Sequence, residues 1–472
     1  MTQSKLLEAT FARIKEYINQ IDSTDVVDYQ DPEQLSEKID LSVDDHPVTE
    51  QEFIKLIDDY LHYSVKTGNK QFLNQLYGGF NLPSFIGDVL TSLTNTSMYT
   101  YEVAPVASLV EKEMIKLMNS YIGYHQGDGI FLSGGSNANL VAMFSARNKV
   151  SPHSRFEGYD KNEKLVAFVN EHSHYSFDTA ANLLGIGSNN LIKVKTDVAG
   201  SIIPAELERS ILATIEEGKK PFFIGATCST TMQGAYDPLN AIADIANKYG
   251  VWFHADGAFG GSIILSDEHN HMMNGIHRTD SFAWDPHKLM NIPLICSVIL
   301  TREKGVLENN LTDINTDYIY HNNEEMTDLG EKSIQCGRHV DAVKLWFAWK
   351  YYGKDGYDKR ISNMINIARY AEEIVKNHPD LEMVSPRQSF SVCFRYRPPF
   401  ETNPDEFNFM VREKMRREGK SMVNYGYVND QMTIRFVASN GDLEKKDIDQ
   451  FFNHYLHSAK ICIDECMEKD EA

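Results

Sequence analysis

Residues 221–257 read PFFIGATCSTTMQGAYDPLNAIADIANKYGVWFHADG, and the fold follows from how this stretch is parsed. Residues 222–227 are an apolar run bounded by Pro221, which predicts a buried strand. Asp237 is placed to cap a helix with Pro238 at its first position, and Leu239, Ile242, Ile245 and Tyr249 line one face. Gly250 ends that helix, and residues 251–255 start the next strand. Strand, helix and strand at this spacing make a crossover, and repeated crossovers build a mainly parallel sheet with helices on both sides. The same alternation runs upstream, through apolar runs at 165–169 and 191–194, helical periodicity from Ser176 and a helix over 204–217. The expected class is α/β. In such sheets ligands lie at the carboxyl ends of the strands, which here are followed by residues 227–231, 256–261 and 284–288.

Working outward, Leu7, Phe11, Ile14, Ile18 and Ile21 share one face of an amphipathic helix. Residues 22–50 are acidic and loop-like, and a second helix runs over about 53–65. From Gly353 the pattern changes to a helix at 361–376, a strand at 389–396, a helix at 404–418, a strand at 432–438 and a closing helix from Leu443. Three parts are expected: an N-terminal helical segment (1–95), a large domain (96–352) and a small α+β domain (353–472). The net charge of −21 over 472 residues repels phosphate backbones and anionic lipid, so neither nucleic acid nor a membrane is an expected partner. An anionic substrate would need a local basic anchor. Six scattered cysteines without a C-x-x-C, no signal-peptide h-region and no span-length apolar stretch predict a reducing, cytoplasmic setting.

Four local features carry chemistry. Lys288, in Trp284-Asp285-Pro286-His287-Lys288, ends an apolar run, and desolvation there should lower its amine from an ordinary pKa of about 10.4. A neutral amine is what Schiff-base chemistry requires. Asp256, in His254-Ala255-Asp256-Gly257-Ala258, could cap a helix, bind metal or hold a pyridinium nitrogen, beside a flat small-residue surface. Ser133-Gly134-Gly135-Ser136-Asn137 opens a helix over 138–148, whose free N–H groups and dipole suit one phosphate. It is neither a Walker loop nor a G-x-G-x-x-G turn. His174 follows another strand and could stack on a ring or move a proton. The pairs His172/His174 and His269/His271 lack a third ligand at characteristic spacing, so no metal is expected. Phosphate turn, histidine, aspartate and lysine, in that order on one sheet, together describe pyridoxal 5′-phosphate.

At this point the sequence resembles the group II pyridoxal-phosphate-dependent amino acid decarboxylases, most closely the glutamate and cysteine-sulfinate decarboxylases. The resemblance runs from about Phe72 to Ser439 and rests on FLNQL (72–76), YTYEVAPV (99–106), DGIF (128–131), SHYS (173–176), GAYDP (234–238), HAD (254–256), DPHK (285–288) and QCGRH (335–339). It implies a fold-type-I enzyme, a homodimer with the active site at the subunit interface and the N-terminal segment packed on the partner. By motif, Lys288 would hold the cofactor covalently, Asp256 would bind its ring nitrogen, and Ala258 and His174 would sandwich the ring. Ser136, Asn137 and His287 would lie around the phosphate or the lysine, and Thr231 near Asp256. Arg435 would bind the substrate α-carboxylate and Gln75 its distal acid. Tyr318, with Tyr320 as a rival, would return the proton from a mobile loop.

Three departures stand out. Asp285 replaces the Asn common in the animal enzymes, so it is either protonated or turned toward a donor. Gly257 replaces an Ala, which reads as a mild change. Tyr77 and Ser97 give the pocket a sulfinate-type, shortened character, pointing to aspartate, cysteine sulfinate or cysteate over glutamate. Alternatives are decarboxylation of diaminobutyrate or an aromatic amino acid, oxidative decarboxylation, or a non-catalytic scaffold.

Overall fold

The Lys220–Thr227 and Trp252–Gly257 strands lie side by side and parallel, joined through the Leu239–Tyr249 helix, as the 221–257 stretch requires. Gly250 closes that helix in the left-handed conformation (φ 66°), which a residue without Cβ adopts freely. The structure is a computed structural model and describes residues 2–158, 162–310, 319 and 328–470.

Two compact units divide the chain. The larger spans 81–365 with 385–390 and is built on a seven-stranded sheet. Its order is Asp128–Leu132, Ser297–Thr301, Ser281–Trp284, Trp252–Gly257, Lys220–Thr227, Leu165–Asn170 and Leu191–Val194. Ser297–Thr301 runs antiparallel to both of its neighbours, and the remaining pairs are parallel. The class is α/β, mainly parallel, as expected. Side chains alternate across a pleated sheet. Ala167, Val169, Phe223 and Ala283 pack with Val141, Ala142 and Phe177 of the Gly135–Val150 and Ser176–Leu183 helices. Their neighbours Phe168, Ile224 and Phe282 point the other way and are equally buried. A sheet covered on both faces reads as continuous apolar runs rather than alternation.

Asp237 does not cap the helix. Its carboxylate is buried and accepts from the Ile202 and Thr227 amides (2.7 and 2.6 Å) and from Asn170 Nδ2 (2.8 Å). Burial pushes this carboxyl up to about 6 against the pull of those donors. The residue therefore ties two strands and a loop together rather than starting a helix.

The second unit gathers 1–80, 366–384 and 391–472. Its five-stranded sheet has the order Phe72–Leu73, Met422–Val428, Gln431–Val437, Ser391–Tyr396 and Leu381–Met383. Asn429 and Asp430, both at positive φ (51° and 61°), form the two-residue turn that the strand twist favours. The amphipathic N-terminal helix is present as Gln3–Gln20, with Leu7 and Phe11 about half exposed. Among the described residues no helix is long and apolar enough to cross a membrane.

Candidate active site

In the larger unit the carboxyl ends of the strands deliver the chemistry. Trp252–Gly257 ends on Asp256, whose carboxylate is buried and held at both oxygens. The Ala258 amide donates to Oδ1 (3.0 Å) and Asn139 Nδ2 donates to Oδ2 (2.8 Å). Asn139 also donates to Ser176 Oγ (2.9 Å), and its Oδ1 lies 2.9 Å from His254 Nε2. Burial drives the His254 imidazole down to about 4, so it is neutral and donates through Nε2, while its Nδ1 faces Ser281 Oγ (2.8 Å). A chain His254–Asn139–Asp256 thus fixes the orientation of the carboxylate. The sequence reading missed Asn139. Its signal was an Asn inside a helix, where that residue is poorly suited unless its amide has work to do.

His174 sits just past the Leu165–Asn170 strand with Nδ1 2.9 Å from Ser176 Oγ. Burial pushes its imidazole below the ordinary range, and Lys288 adds to this, while Asp256 and Asp285 oppose it. The charges of Asp256, Lys288 and Asp285 thus all act on His174, which shares one electrostatic neighbourhood with them.

The glycine turn behaves as its composition suggests. Gly134 (φ 126°) precedes the Gly135–Val150 helix, whose first N–H groups lack intrahelical acceptors. Asn137 Nδ2 and Gln335 Nε2 both donate to Ser133 Oγ (3.1 and 3.2 Å), and Ser136 is exposed beside them. A Cβ built on Gly135 would stand 3.0 Å from the Ala258 methyl and 2.7 Å from Asp285 Oδ2. The turn therefore lies against both the small-residue floor and the 285–288 segment.

Lys288 is not enclosed by apolar neighbours alone. Its side chain is 21% exposed, and Nζ is 3.1 Å from Asp285 Oδ2. Of the two alternatives for Asp285, the structure places it toward a donor. His287 is buried, with Nδ1 2.8 Å from the Cys296 carbonyl, and burial pushes its imidazole below the ordinary range. Thr231 follows the Lys220–Thr227 strand and is half-buried. Ser97 accepts from the Arg338 amide (3.2 Å). Arg338 itself is buried against Glu111 (2.9 Å) and donates to the Met98 carbonyl (2.9 Å), so the QCGRH arginine serves as a brace under that segment.

Gly257 is not a mild change. A Cβ there would meet the Phe282 ring at 2.2 Å and the Ala283 carbonyl at 3.1 Å. Gly257→Ala is expected to destabilise the protein by about 1–3 kcal/mol, as overpacking does. Thermal unfolding checks this, and adding Phe282→Val is expected to restore most of the loss; a single mutant with wild-type stability would contradict the packing.

Arg435, Gln75 and Tyr77 belong to the other unit. Arg435 lies on the Gln431–Val437 strand, is buried and donates to the Asn74 carbonyl (2.8 Å); burial lowers its guanidinium to about 10. Ser439 Oγ donates to the Gln75 carbonyl (3.4 Å), so this unit brings the Asn74–Gln75 backbone to Arg435 and Ser439. The Tyr77 ring packs on Phe72, with centroids 6.1 Å apart. Tyr318 and its rival Tyr320 lie outside the described residues. Among the described residues no group of three His, Cys, Asp or Glu side chains is placed to hold a metal ion.

The donor set fits pyridoxal phosphate: free helix N–H groups for one phosphate, an anchored carboxylate for a ring nitrogen, an imidazole and a methyl floor for a ring, and an amine. One group fits poorly, the Asp285 carboxylate beneath the phosphate turn.

Comparison with known proteins agrees with this donor set. The family model described as the pyridoxal-dependent decarboxylase conserved domain matches residues 32–397. The chain is 36% identical over 441 residues to cysteine sulfinic acid decarboxylase of Mus musculus, covering 90% of each. A crystal structure of mouse CSAD in apo form matches with a TM-score of 0.92 at 35% identity, over 97% of this chain and 98% of that one. Oryza sativa TDC with PLP and tryptamine matches with a TM-score of 0.89 at 24% identity, over 98% of each chain, a likeness of fold.

Proposed function

The chain belongs to the pyridoxal-dependent decarboxylase family, and from that premise we propose that it removes the α-carboxylate of an acidic L-amino acid as CO₂. It is a carboxy-lyase with pyridoxal phosphate as cofactor. The substrate class is cysteine sulfinate, cysteate or aspartate ahead of glutamate, and the products are the corresponding amines. The observation that carries this reading is the grouping of Lys288, Asp256 and His174 beside a glycine turn at the strand ends. The likeness to mouse cysteine sulfinic acid decarboxylase supports the choice of an acidic substrate.

When bound, the cofactor supplies an electron-accepting ring for the pair left at Cα as CO₂ departs. The chain's own residues do the rest. Lys288 would hold the cofactor covalently. Asp256, oriented by Asn139 and the Ala258 amide, would hold the ring nitrogen and favour its protonated form. His174 and Ala258 would hold the ring between them. Ser136, Asn137 and His287 surround the phosphate and lysine, with Thr231 near Asp256. Arg435 grips the α-carboxylate, which selects the rotamer whose C–CO₂ bond can break. Gln75 receives the distal acid, Tyr77 and Ser97 set the pocket length, and Tyr318 returns a proton to Cα.

A cytoplasmic homodimer belongs to the same proposal. Leu82, Ile86, Leu90 and Leu93 stand exposed along the Leu82–Thr94 helix, with Val106 and Leu109 exposed on Pro105–Ile122. A second copy of the chain would cover them, and residues 1–95 would take part in that packing. Sedimentation should give twice the 53.7 kDa chain mass.

The test is CO₂ release from a panel of acidic, basic and aromatic amino acids. Release is expected from the short acidic substrates first, and Tyr77→Ser is expected to raise the share of glutamate several-fold. Turnover confined to an aromatic or basic amino acid would overturn the substrate class. Aldehyde in place of amine would mark an oxidative enzyme.

A further inference from the structure

Asp285 meets two parts of the site at once. Its side chain is 2% exposed, with Oδ2 3.1 Å from Lys288 Nζ and 3.7 Å from His287 Nε2. The same oxygen would lie 2.7 Å from a Cβ on Gly135, and Oδ1 would lie 3.2 Å from it. Oδ1 is buried with no hydrogen-bond partner among the described residues. Both oxygens therefore stand against the glycine turn, and the nearer of them also holds the amine.

We propose, resting on the reading of Lys288 and the Gly134–Asn137 turn above, that Asp285 is a positioning residue with two opposed effects. It is the fixed counter-charge of the Lys288 nitrogen, before and after that nitrogen joins the cofactor aldehyde, and it weakens the grip of the turn on phosphate. When the amine adds to the aldehyde carbon, a C=N bond forms, water leaves, and the nitrogen keeps one proton and its positive charge. A carboxylate within hydrogen-bond reach favours that protonated form. The other charges nearby are already committed. Asp256 is tied to Asn139 and the Ala258 amide. Burial pushes both His174 and His287 toward their neutral forms. Lys344 is paired with Asp341 (2.8 Å) and lies 3.7 Å from Asp88. Among the described residues, Asp285 is left as the carboxylate in contact with the lysine nitrogen. Toward the turn, the carboxylate meets a bound phosphate charge against charge, where an amide would donate a hydrogen bond.

The experiment uses the purified holoenzyme and reads the visible absorption band of the C=N linkage against pH. In the wild type the band should hold its protonated form to high pH, and Asp285→Asn should move the midpoint down by about one pH unit or more. Asp285→Glu, which keeps the charge, should stay close to wild type. Asp285→Asn should also retain pyridoxal phosphate several-fold more tightly against dialysis, with no such gain for phosphate-free pyridoxal. An unmoved midpoint, or unchanged retention of pyridoxal phosphate, would overturn the proposal. Persistence of the band in Lys288→Ala would instead overturn the underlying assignment of the lysine, so the two failures are separable.

Discussion

Lys288→Ala is expected to lower turnover at least about 1000-fold, because it removes the amine assigned to form and break the bond to the cofactor. The variant should fold, since the lysine side chain is partly exposed and its contact with Asp285 is an ion pair rather than core packing. It should still bind pyridoxal phosphate weakly, because the glycine turn and Asp256 are untouched. The visible band reducible by borohydride should be absent. CO₂ release and absorbance measured on one preparation check both points; near-normal turnover would remove Lys288 from the mechanism.

Asp256→Ala should lower kcat by about 10²–10⁴-fold while KM changes little. The carboxylate stabilises charge that develops as CO₂ leaves, and interactions of that kind appear in kcat. Substrate recognition is assigned to other residues. Its two donors, Asn139 and the Ala258 amide, hold both oxygens in place, and His254 behind Asn139 is driven neutral by burial. A variant altered only in KM would argue that Asp256 serves binding.

Local pattern revealed much of this fold, and long-range pairing did not. The helix at Pro404–Glu418 and the strand at Leu191–Val194 have the ends expected from sequence, because caps, prolines and apolar runs are local signals. The helix expected at 361–376 belongs to a longer element, Asp341–Asn377, interrupted at Gly353 with a positive φ of 61°. A glycine between two helical patterns reads as a terminus. Phe72–Leu73 pairs with Met422–Val428, a partnership no periodicity announces. In the site, residue type marked Lys288, Asp256 and His174, whereas Asn139 needed geometry to explain it. Asp285 stands out in the sequence as a departure, but which way it turns is shown only by its contact with Lys288 and its closeness to Gly135.

The interlock between Gly257 and Phe282 bears on how this chain can drift. With a methyl at 257 and an aromatic at 282 competing for the same space, the order of mutational steps matters: position 282 must shrink first. The reverse path passes through a misfit that selection would remove. Homologues carrying alanine at the equivalent of 257 are thus expected to carry a smaller residue at the equivalent of 282, a linked pair inherited as a unit.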